Sequence, residues 1–208
     1  MKFKYNTFNP YIYNQIPKGA RTLDVGCATG LLGKTLKAHK SPKFLVGIEK
    51  DKKMAKKASR FYDKVIITNL DQLNNLPFKK DFFDLIVLSD ILEHLKNPLF
   101  TLKAITPYLN SSGCLLISVP NIAFISVRIS LLFGMFEYNL KGGLLDEAHL
   151  RLFTRLGLIK LLKQANLKII SLRGYNLVRP RFFFLKILGK LLPTVFSLQF
   201  LAKAKKIK

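Results

Sequence analysis

Short apolar segments alternate with amphipathic ones along most of the chain. The apolar segments are bounded by Gly, Pro, Asn or Asp and have the length of buried parallel strands. They lie at residues 20–26, 43–49, 64–68, 82–89 and 113–120. The amphipathic segments place apolar residues at spacings of three and four, which predicts helices. These lie at residues 31–39, 52–61, 97–109 and 154–165. The alternation predicts an α/β doubly wound sheet that binds its ligands at the carboxyl ends of the strands.

The alternation is interrupted between Pro120 and Thr154. We predict that this insertion, residues 121–152, forms a helical lid over the strand ends. Its apolar residues at helical spacing predict a helix face that packs on the body of the protein, forms a homodimer contact or contributes to a peripheral membrane contact. They are Ile122, Ile125, Ile129, Leu132 and Phe136. Two further strands are expected near 167–173 and 196–204. Because no internal repeat or linker is found, we predict one domain over residues 1–208.

The chain is strongly basic, with 35 Lys and Arg residues against 12 Asp and Glu and a formal net charge of +23. No acidic residue follows Glu147. Such a charge attracts nucleic acid, anionic lipid or a phosphorylated substrate, although a lysine-biased genome explains it equally well. Since no RNA-binding module with aromatic platforms is found, we do not expect a nucleic-acid partner.

The composition narrows the class of protein further. A hydrophobic fraction of 49% excludes a disordered chain, and two cysteines exclude a disulfide framework. Both thiols are expected to be reduced, as in a cytoplasmic protein. No metal cluster is visible in the sequence, and no metal is expected.

No stretch of the sequence predicts a helix that spans a membrane. Residues 1–19 contain no apolar core of a secretory signal, so we expect a cytoplasmic protein. The stretches 122–136 and 182–202 are interrupted by charged residues, which argues against a spanning helix of about 20 residues. The second stretch places apolar side chains beside basic ones: Phe182, Phe183, Phe184, Leu185, Leu188 and Leu191. Such a surface suits a peripheral contact at the inner membrane face with a lipid-linked, anionic glycan.

The first predicted strand ends in the turn 24–30, Asp-Val-Gly-Cys-Ala-Thr-Gly, which leads directly into a helix. Small residues there let a ligand approach the backbone amides at the helix start. The dinucleotide fingerprint G-x-G-x-x-G does not fit, because Ala28 occupies its middle position. A phosphate loop over residues 28–35, with Lys34 on the phosphates, is an alternative that would make the chain a nucleotide-binding protein. Against it, the apolar strand already ends at Val25.

A methyl-donor site explains the second strand as well as the turn. That strand ends in Glu49, about 20 residues after the turn, where a carboxylate can accept hydrogen bonds from both hydroxyls of an adenosine ribose. The alternative role for Glu49 is that of an acid favoured by the dipole of the next helix.

These motifs make the chain similar to the class I S-adenosylmethionine-dependent methyltransferases over nearly its whole length. LDVGCATG resembles the family's first motif, GIEKD its acidic second-strand end, NLDQLNNLPF its adenine-contacting loop and FFDLIVLSDILEHL its fourth-strand motif. The resemblance implies a Rossmann-like, seven-stranded sheet of order 3-2-1-4-5-7-6 whose last strand is antiparallel. The implied cofactor is S-adenosylmethionine, with S-adenosylhomocysteine as product.

The resemblance also implies contacts to this donor. Its methionine end would lie against the turn after strand one, its ribose against Glu49, its adenine against Asn69 or Asp71, and its sulfonium over residues 89–91. The cofactor-binding candidates are Asp24, Gly26, Cys27, Ala28, Thr29, Gly30, Glu49, Lys50, Asn69, Leu70, Asp71, Ser89, Asp90, Ile91 and His94.

The insertion resembles that of a small bacterial methyltransferase group often found beside glycan and cell-surface polysaccharide genes. The matching stretch is PNIAFISVRISLLFGMFEYNLKGGLLDEAHLRLFT. The resemblance implies polysaccharide biosynthesis, a small-molecule or glycan acceptor, and a recurring lid pattern that supplies substrate-binding residues. They are Arg128, Tyr138, Asp146, His149 and Arg151.

A hydroxyl acceptor is helped by a general base, a task that suits histidine. His149 is the first candidate, with anchoring of the lid as its alternative role, and His94 is the second. His39 lies among lysines and is expected to be solvated. We therefore predict O-methylation by in-line transfer, with a noncatalytic donor-binding or membrane-associated protein as the alternative.

Overall fold

A computed structural model of the chain describes residues 8–138, 142–176, 187–188 and 190–207. Its centre is a seven-stranded sheet of order β3-β2-β1-β4-β5-β7-β6. The strands are β1 (Arg21–Val25), β2 (Phe44–Glu49), β3 (Lys64–Ile67), β4 (Phe83–Ser89), β5 (Leu109–Pro120), β6 (Leu167–Tyr175) and β7 (Gln199–Lys206). β1 to β5 are parallel, and β7 runs antiparallel to β5 and β6. The predicted fold class and strand order are confirmed.

Helices lie between the strands and in the lid. They are α1 (Pro10–Gln15), α2 (Leu31–His39), α3 (Lys52–Ala58), α4 (Pro98–Ile105), α5 (Ile125–Leu132), α6 (Arg155–Gln164) and α7 (Pro193–Phe196). Side-chain caps explain where two of these helices begin. The Asp51 side chain accepts a hydrogen bond from the Met54 amide at the start of α3, and the Thr154 hydroxyl accepts one from the Gly157 amide at the start of α6. Short 3-10 helices follow β3 and β4 at Leu70–Gln72 and Leu92–His94.

The central strands are buried on both faces, as expected of a parallel sheet. In β4, Leu85 and Val87 pack into one hydrophobic cluster and Ile86 and Leu88 into the other, and all four side chains are fully buried. This alternation fixes the register of β4 and holds the carboxyl ends of β1, β2 and β4 side by side.

Two predicted helices end earlier than expected. The helix predicted over 52–61 ends at Ala58, and the one predicted over 97–109 gives way to a 3-10 turn at Thr106–Tyr108. In the second case Pro107 cannot supply the amide hydrogen that an α-helix requires there.

The apolar face predicted for the lid helix is exposed at two of its residues. The lid helix is α5, so Ile122 and Phe136 lie outside the helix. Ile129 and Leu132 are 49% and 81% exposed, while Val127 is buried. The expected packing of this face on the body is therefore wrong for Ile129 and Leu132, because spacing reveals that a face is apolar but not what covers it.

No helix among the described residues is both long enough and apolar enough to cross a membrane.

Candidate functional site

The turn between β1 and α2 has an unusual backbone that brings amide groups to the edge of the sheet. Gly26, Ala28 and Gly30 have φ angles of +81°, +47° and +86°. Left-handed conformations are favourable for glycine but cost about 1–3 kcal/mol for alanine, so tertiary contacts must hold Ala28 in place. The amides of Gly26 and Cys27 both donate to the carbonyl of Ile48 at 2.9 Å, which ties the turn to β2.

Glu49 supplies the contact that holds Ala28. Its Oε2 accepts a hydrogen bond from the Ala28 amide at 3.0 Å, and its Oε1 accepts from the Asp51 amide at 2.9 Å. An ionised carboxylate has about four acceptor positions, so Glu49 keeps capacity for two hydroxyl donors. The carboxylate is partly exposed beside the turn. This donor set fits the ribose of an adenosine ligand.

Asp24 and Cys27 lie beneath the turn, with their side chains inside the protein. The Tyr62 hydroxyl donates to Asp24 Oδ2 at 2.5 Å and accepts from the Gly33 amide at 3.1 Å. Burial, together with the charge of Glu49, raises the pKa of Asp24 to about 6, against the lowering effect of the Tyr62 hydrogen bond. Burial also raises the pKa of the Cys27 thiol, which packs against Gly47. Cys27 can therefore face a ligand only through its backbone.

The loop after β3 lies next to Glu49, because Glu49 and Ile67 pair across β2 and β3. Asn69 Oδ1 accepts from the Asp71 amide at 3.1 Å, and Asp71 Oδ1 accepts from the Asn97 amide at 3.0 Å. These bonds order the residues predicted to hold an adenine.

The carboxyl end of β4 completes this edge. A Cβ atom at Gly26 would lie 2.6 Å from Ile91 Cδ1, so the Ile91 side chain packs directly on the turn. Asp90 has a φ of +51°, and its Oδ1 accepts from Gln199 Nε2 at 3.1 Å. Burial raises the pKa of Asp90, opposed by hydrogen bonds to Ser118, Asn9 and Ser89.

Sequence reasoning missed several residues around Asp90. The Asn9 side chain donates to the Tyr175 hydroxyl, a pairing across 166 positions of the chain. Asn9 also caps α1, accepting from the amides of Tyr11 and Ile12. The only local signal was Asn9 before Pro10, which is typical of a helix start.

The phosphate-loop alternative is wrong. A loop ending at Lys34 requires non-helical residues up to the lysine, whereas α2 begins at Leu31. The Lys34 side chain is exposed, with its Nζ 5.9 Å from the centre of the Phe61 ring. It therefore points along the surface of the helix and not over the turn.

The two candidate bases meet where the lid crosses the end of β4. The rings of His94 and His149 are 5.0 Å apart at an angle of 64°. His94 Nδ1 lies 3.0 Å from the Ala148 carbonyl oxygen, and His149 Nδ1 lies 3.3 Å from that of Leu144. Burial, followed by the charge of His94, lowers the pKa of His149.

Backbone bonds fasten the lid at this point. The amides of Leu150 and Arg151 both donate to the carbonyl of Glu93, at 2.8 and 3.0 Å, and Arg151 Nε donates to the Lys96 carbonyl at 3.0 Å. Leu150 and Arg151 therefore anchor the lid, which is the alternative role predicted for His149 itself.

The other predicted substrate residues are more dispersed. Asp146 Oδ1 accepts from the Ala148 amide and shapes the turn before His149. Arg128 Nε donates to the Ala123 carbonyl at 2.6 Å, at the start of its own helix. Tyr138 is 51% exposed and contacts Phe136. The structure therefore brings Asp146, His149 and Arg151 together, but not Arg128 or Tyr138 with them.

Glu93 is a further residue that the sequence did not single out. It is 1% exposed, and burial with the nearby charge of Asp90 raises its pKa well above the usual value. Its Oε2 has no hydrogen-bond partner among the described residues.

In the predicted C-terminal surface, Phe182, Phe183, Phe184 and Leu185 lie outside the described residues, whereas Leu191 is 70% exposed.

Comparison with known families decides the class. A family model described as "Methyltransferase domain" matches residues 6–172. The chain belongs to the methyltransferase domain family. Together with the strand order, this confirms the predicted class I methyltransferase, the class whose cofactor is S-adenosylmethionine.

This methyltransferase matches a curated protein over part of its length. It is 32% identical over 104 residues to the uncharacterized protein MJ1123 of Methanocaldococcus jannaschii, a match covering 50% of this chain and 46% of that protein. The chain thus spans about half the length of the curated relative it matches.

Two solved structures share the fold of the methyltransferase. One is an S-adenosylmethionine-dependent methyltransferase from Mesorhizobium loti, with a TM-score of 0.66 and 16% identity over 95% of this chain and 96% of that chain. The other is the [4+2]-cyclase SpnF, with a TM-score of 0.65 and 16% identity over 95% of this chain and 79% of that chain. The residue assignments for donor and acceptor stay predictions.

Proposed function

We propose that the protein binds S-adenosylmethionine at the carboxyl ends of β1 to β4 and transfers its methyl group to a hydroxyl of a small-molecule or glycan acceptor. The observation that supports this most directly is Glu49, whose carboxylate lies beside the left-handed turn with capacity for a ribose diol. Family membership supplies the reaction class.

The protein's own contribution to this reaction is mainly positioning. The bound cofactor supplies an electrophilic methyl group on its sulfonium. Displacement in line with the acceptor oxygen then requires alignment of donor and acceptor and exclusion of water. The turn at Gly26–Gly30 and Glu49 bind the donor, Ile91 sets its depth against Gly26, and the lid fastened to Glu93 and Lys96 covers the reaction.

His149 is the base in this proposal. Since a carbonyl oxygen only accepts hydrogen bonds, the proton of each His ring lies on Nδ1, next to Leu144 for His149 and Ala148 for His94. The Nε2 of His149 therefore carries the lone pair that takes the acceptor's hydroxyl proton as the methyl group is transferred.

We further propose that the acceptor is presented at an anionic membrane surface. The lid carries a run of exposed large apolar side chains, which we name the lid patch. It consists of Ile129, Leu131, Leu132, Phe133, Met135, Phe136 and Tyr138. A formal net charge of +23 complements anionic lipid or a lipid-linked anionic glycan, and basic proteins with an apolar patch bind such surfaces.

The experiment is transfer of a labelled methyl group from S-adenosylmethionine to a panel of soluble glycans, lipid-linked glycans and small hydroxyl compounds. The proposal expects acceptor-dependent formation of S-adenosylhomocysteine and alkali-stable label on oxygen. Donor binding without turnover on any acceptor would favour the noncatalytic alternative, and label on nitrogen would overturn O-methylation.

Flotation with anionic and neutral vesicles tests whether the protein binds an anionic membrane surface. Binding to anionic vesicles that persists at moderate salt supports the lid patch, whereas complete loss with salt indicates charge attraction alone.

A further inference from the structure

We propose that Glu93, His94 and His149 form a binding site for one divalent transition-metal ion of the Zn²⁺ type. One ligand atom from each of the three residues can be chosen so that all lie within 4.8 Å of one another. Two imidazoles and one carboxylate are a typical ligand set for Zn²⁺. The inference goes beyond methyl transfer and does not depend on it.

Backbone carbonyl oxygens hold both histidine rings, as they do in many metal-binding histidines. Both Nδ1 atoms face backbone carbonyl oxygens, those of Ala148 and Leu144, so both Nε2 atoms carry lone pairs. Metal-ligating histidines almost always donate their other ring N–H to such a partner, which fixes the tautomer and the ring. The ring centres are 5.0 Å apart, which places the two imidazoles next to each other beside Glu93.

Glu93 supplies the second, independent observation. A carboxyl group that is 1% exposed normally has hydrogen-bond partners for both oxygens, because an unpartnered buried polar atom destabilises the folded protein. Its Oε2 has none among the described residues. Zn²⁺ bound to this oxygen would displace the carboxyl proton into solvent and supply the missing partner.

The site lies between two segments that are already joined. Glu93 and His94 belong to the 3-10 helix after β4, and His149 to the lid. The bonds from the Leu150 and Arg151 amides to the Glu93 carbonyl hold the lid beside that helix without a metal. Asp90 adds negative charge near Glu93, and Asp146 near His149.

Metal binding requires a small contraction of the cluster. Ligand atoms at about 2.0–2.1 Å from a tetrahedral ion lie roughly 3.4 Å apart, so the widest pair must approach by about 1.4 Å. Three protein ligands leave a fourth position for water or for an oxygen of the acceptor. In the metal-loaded protein, His149 is a ligand and does not act as the base.

The test uses untagged full-length protein, freed of metal by chelation and dialysis, and needs neither methyl donor nor acceptor. Zn²⁺ is titrated by calorimetry, and the imidazole NMR signals of the wild-type protein are followed in parallel. The chain has three histidines, so His39 in the last turn of α2 is an internal control. We expect one ion per chain and shifts of two imidazoles but not of the third.

The variants His94→Gln, His149→Gln and Glu93→Gln should each weaken Zn²⁺ binding by at least about 100-fold, because even second-shell changes cost 10–100-fold. His39→Gln is the matched control and should bind like wild type. The proposal is overturned if wild-type protein takes up no Zn²⁺ at about 0.1 mM free ion, a concentration that half fills a site with a Kd of about 0.1 mM and saturates a tighter one, or if the His39 signal is the one that moves. The NMR result holds even if a variant fails to fold. Failure would leave the methyl-transfer proposal untouched.

Discussion

Replacing Glu49 by alanine should weaken donor binding beyond what loosening of the turn at Ala28 alone would cause. The carboxylate touches two backbone amides directly, and in the proposed complex it accepts both ribose hydroxyls as well. A hydrogen bond to a charged group contributes about 1.5–3 kcal/mol, so loss of the two ribose bonds costs about 3–6 kcal/mol. This corresponds to roughly 10²–10⁴-fold weaker affinity for S-adenosylhomocysteine.

The assay is calorimetric titration of wild type and Glu49→Ala with S-adenosylhomocysteine and with its 2′-deoxy analogue. If Glu49 holds the ribose, the deoxy analogue binds wild type more weakly than the parent compound, while the variant does not distinguish the two. Loosening of the turn at Ala28 alone would weaken both ligands equally. Glu137→Ala removes one exposed acidic side chain from the lid and should leave affinity unchanged. Affinity of Glu49→Ala within threefold of wild type, a change of only about 0.6 kcal/mol, would refute the ribose contact.

Three further predictions concern the turn, the base and the lid patch. Burial raises the pKa of Asp24 from its ordinary value of 3.8 to about 6, so the folded state binds more protons between these values and stability falls as pH rises from 4 to 6. Relative to wild type, Asp24→Asn should gain up to about 3 kcal/mol over that interval, measured by urea unfolding at each pH; a constant difference would show that Asp24 is not perturbed. In protein freed of metal by chelation, His149→Gln should slow methyl transfer by about 10²-fold or more with donor affinity intact, and unchanged turnover excludes it as the base. Leu132→Asp with Phe133→Asp should weaken binding to anionic vesicles by at least about 100-fold, since each buried side chain contributes about 1.5–3 kcal/mol; equal flotation of variant and wild type would argue against the lid patch.

The strands could be located from the sequence because a parallel sheet buries both faces and leaves continuous apolar runs, as in β4. Their order came from the family resemblance and not from periodicity, which carries no information on which runs are neighbours. Glu49 was found because it ends β2 at a fixed separation from the Gly-rich turn. The single-domain organisation stays a prediction.

Other parts of the site had no local signal. Tyr62 under the turn and Tyr175 beside Asn9 are brought in by the tertiary fold across long stretches of chain. Glu93 lay inside a recognised motif, yet the burial of its side chain follows from the tertiary fold and not from the local sequence. The apolar face of α5 was predicted from the sequence but its partner was not, for the related reason that an apolar stripe does not identify what covers it.

The most direct test of the central claim is calorimetric titration of the purified protein with S-adenosylmethionine and S-adenosylhomocysteine, with ATP and Mg²⁺ in parallel. The account predicts that both sulfur compounds bind, one per chain and in the micromolar range, while ATP gives no heat of binding. Tight binding of ATP with no response to either sulfur compound would contradict it.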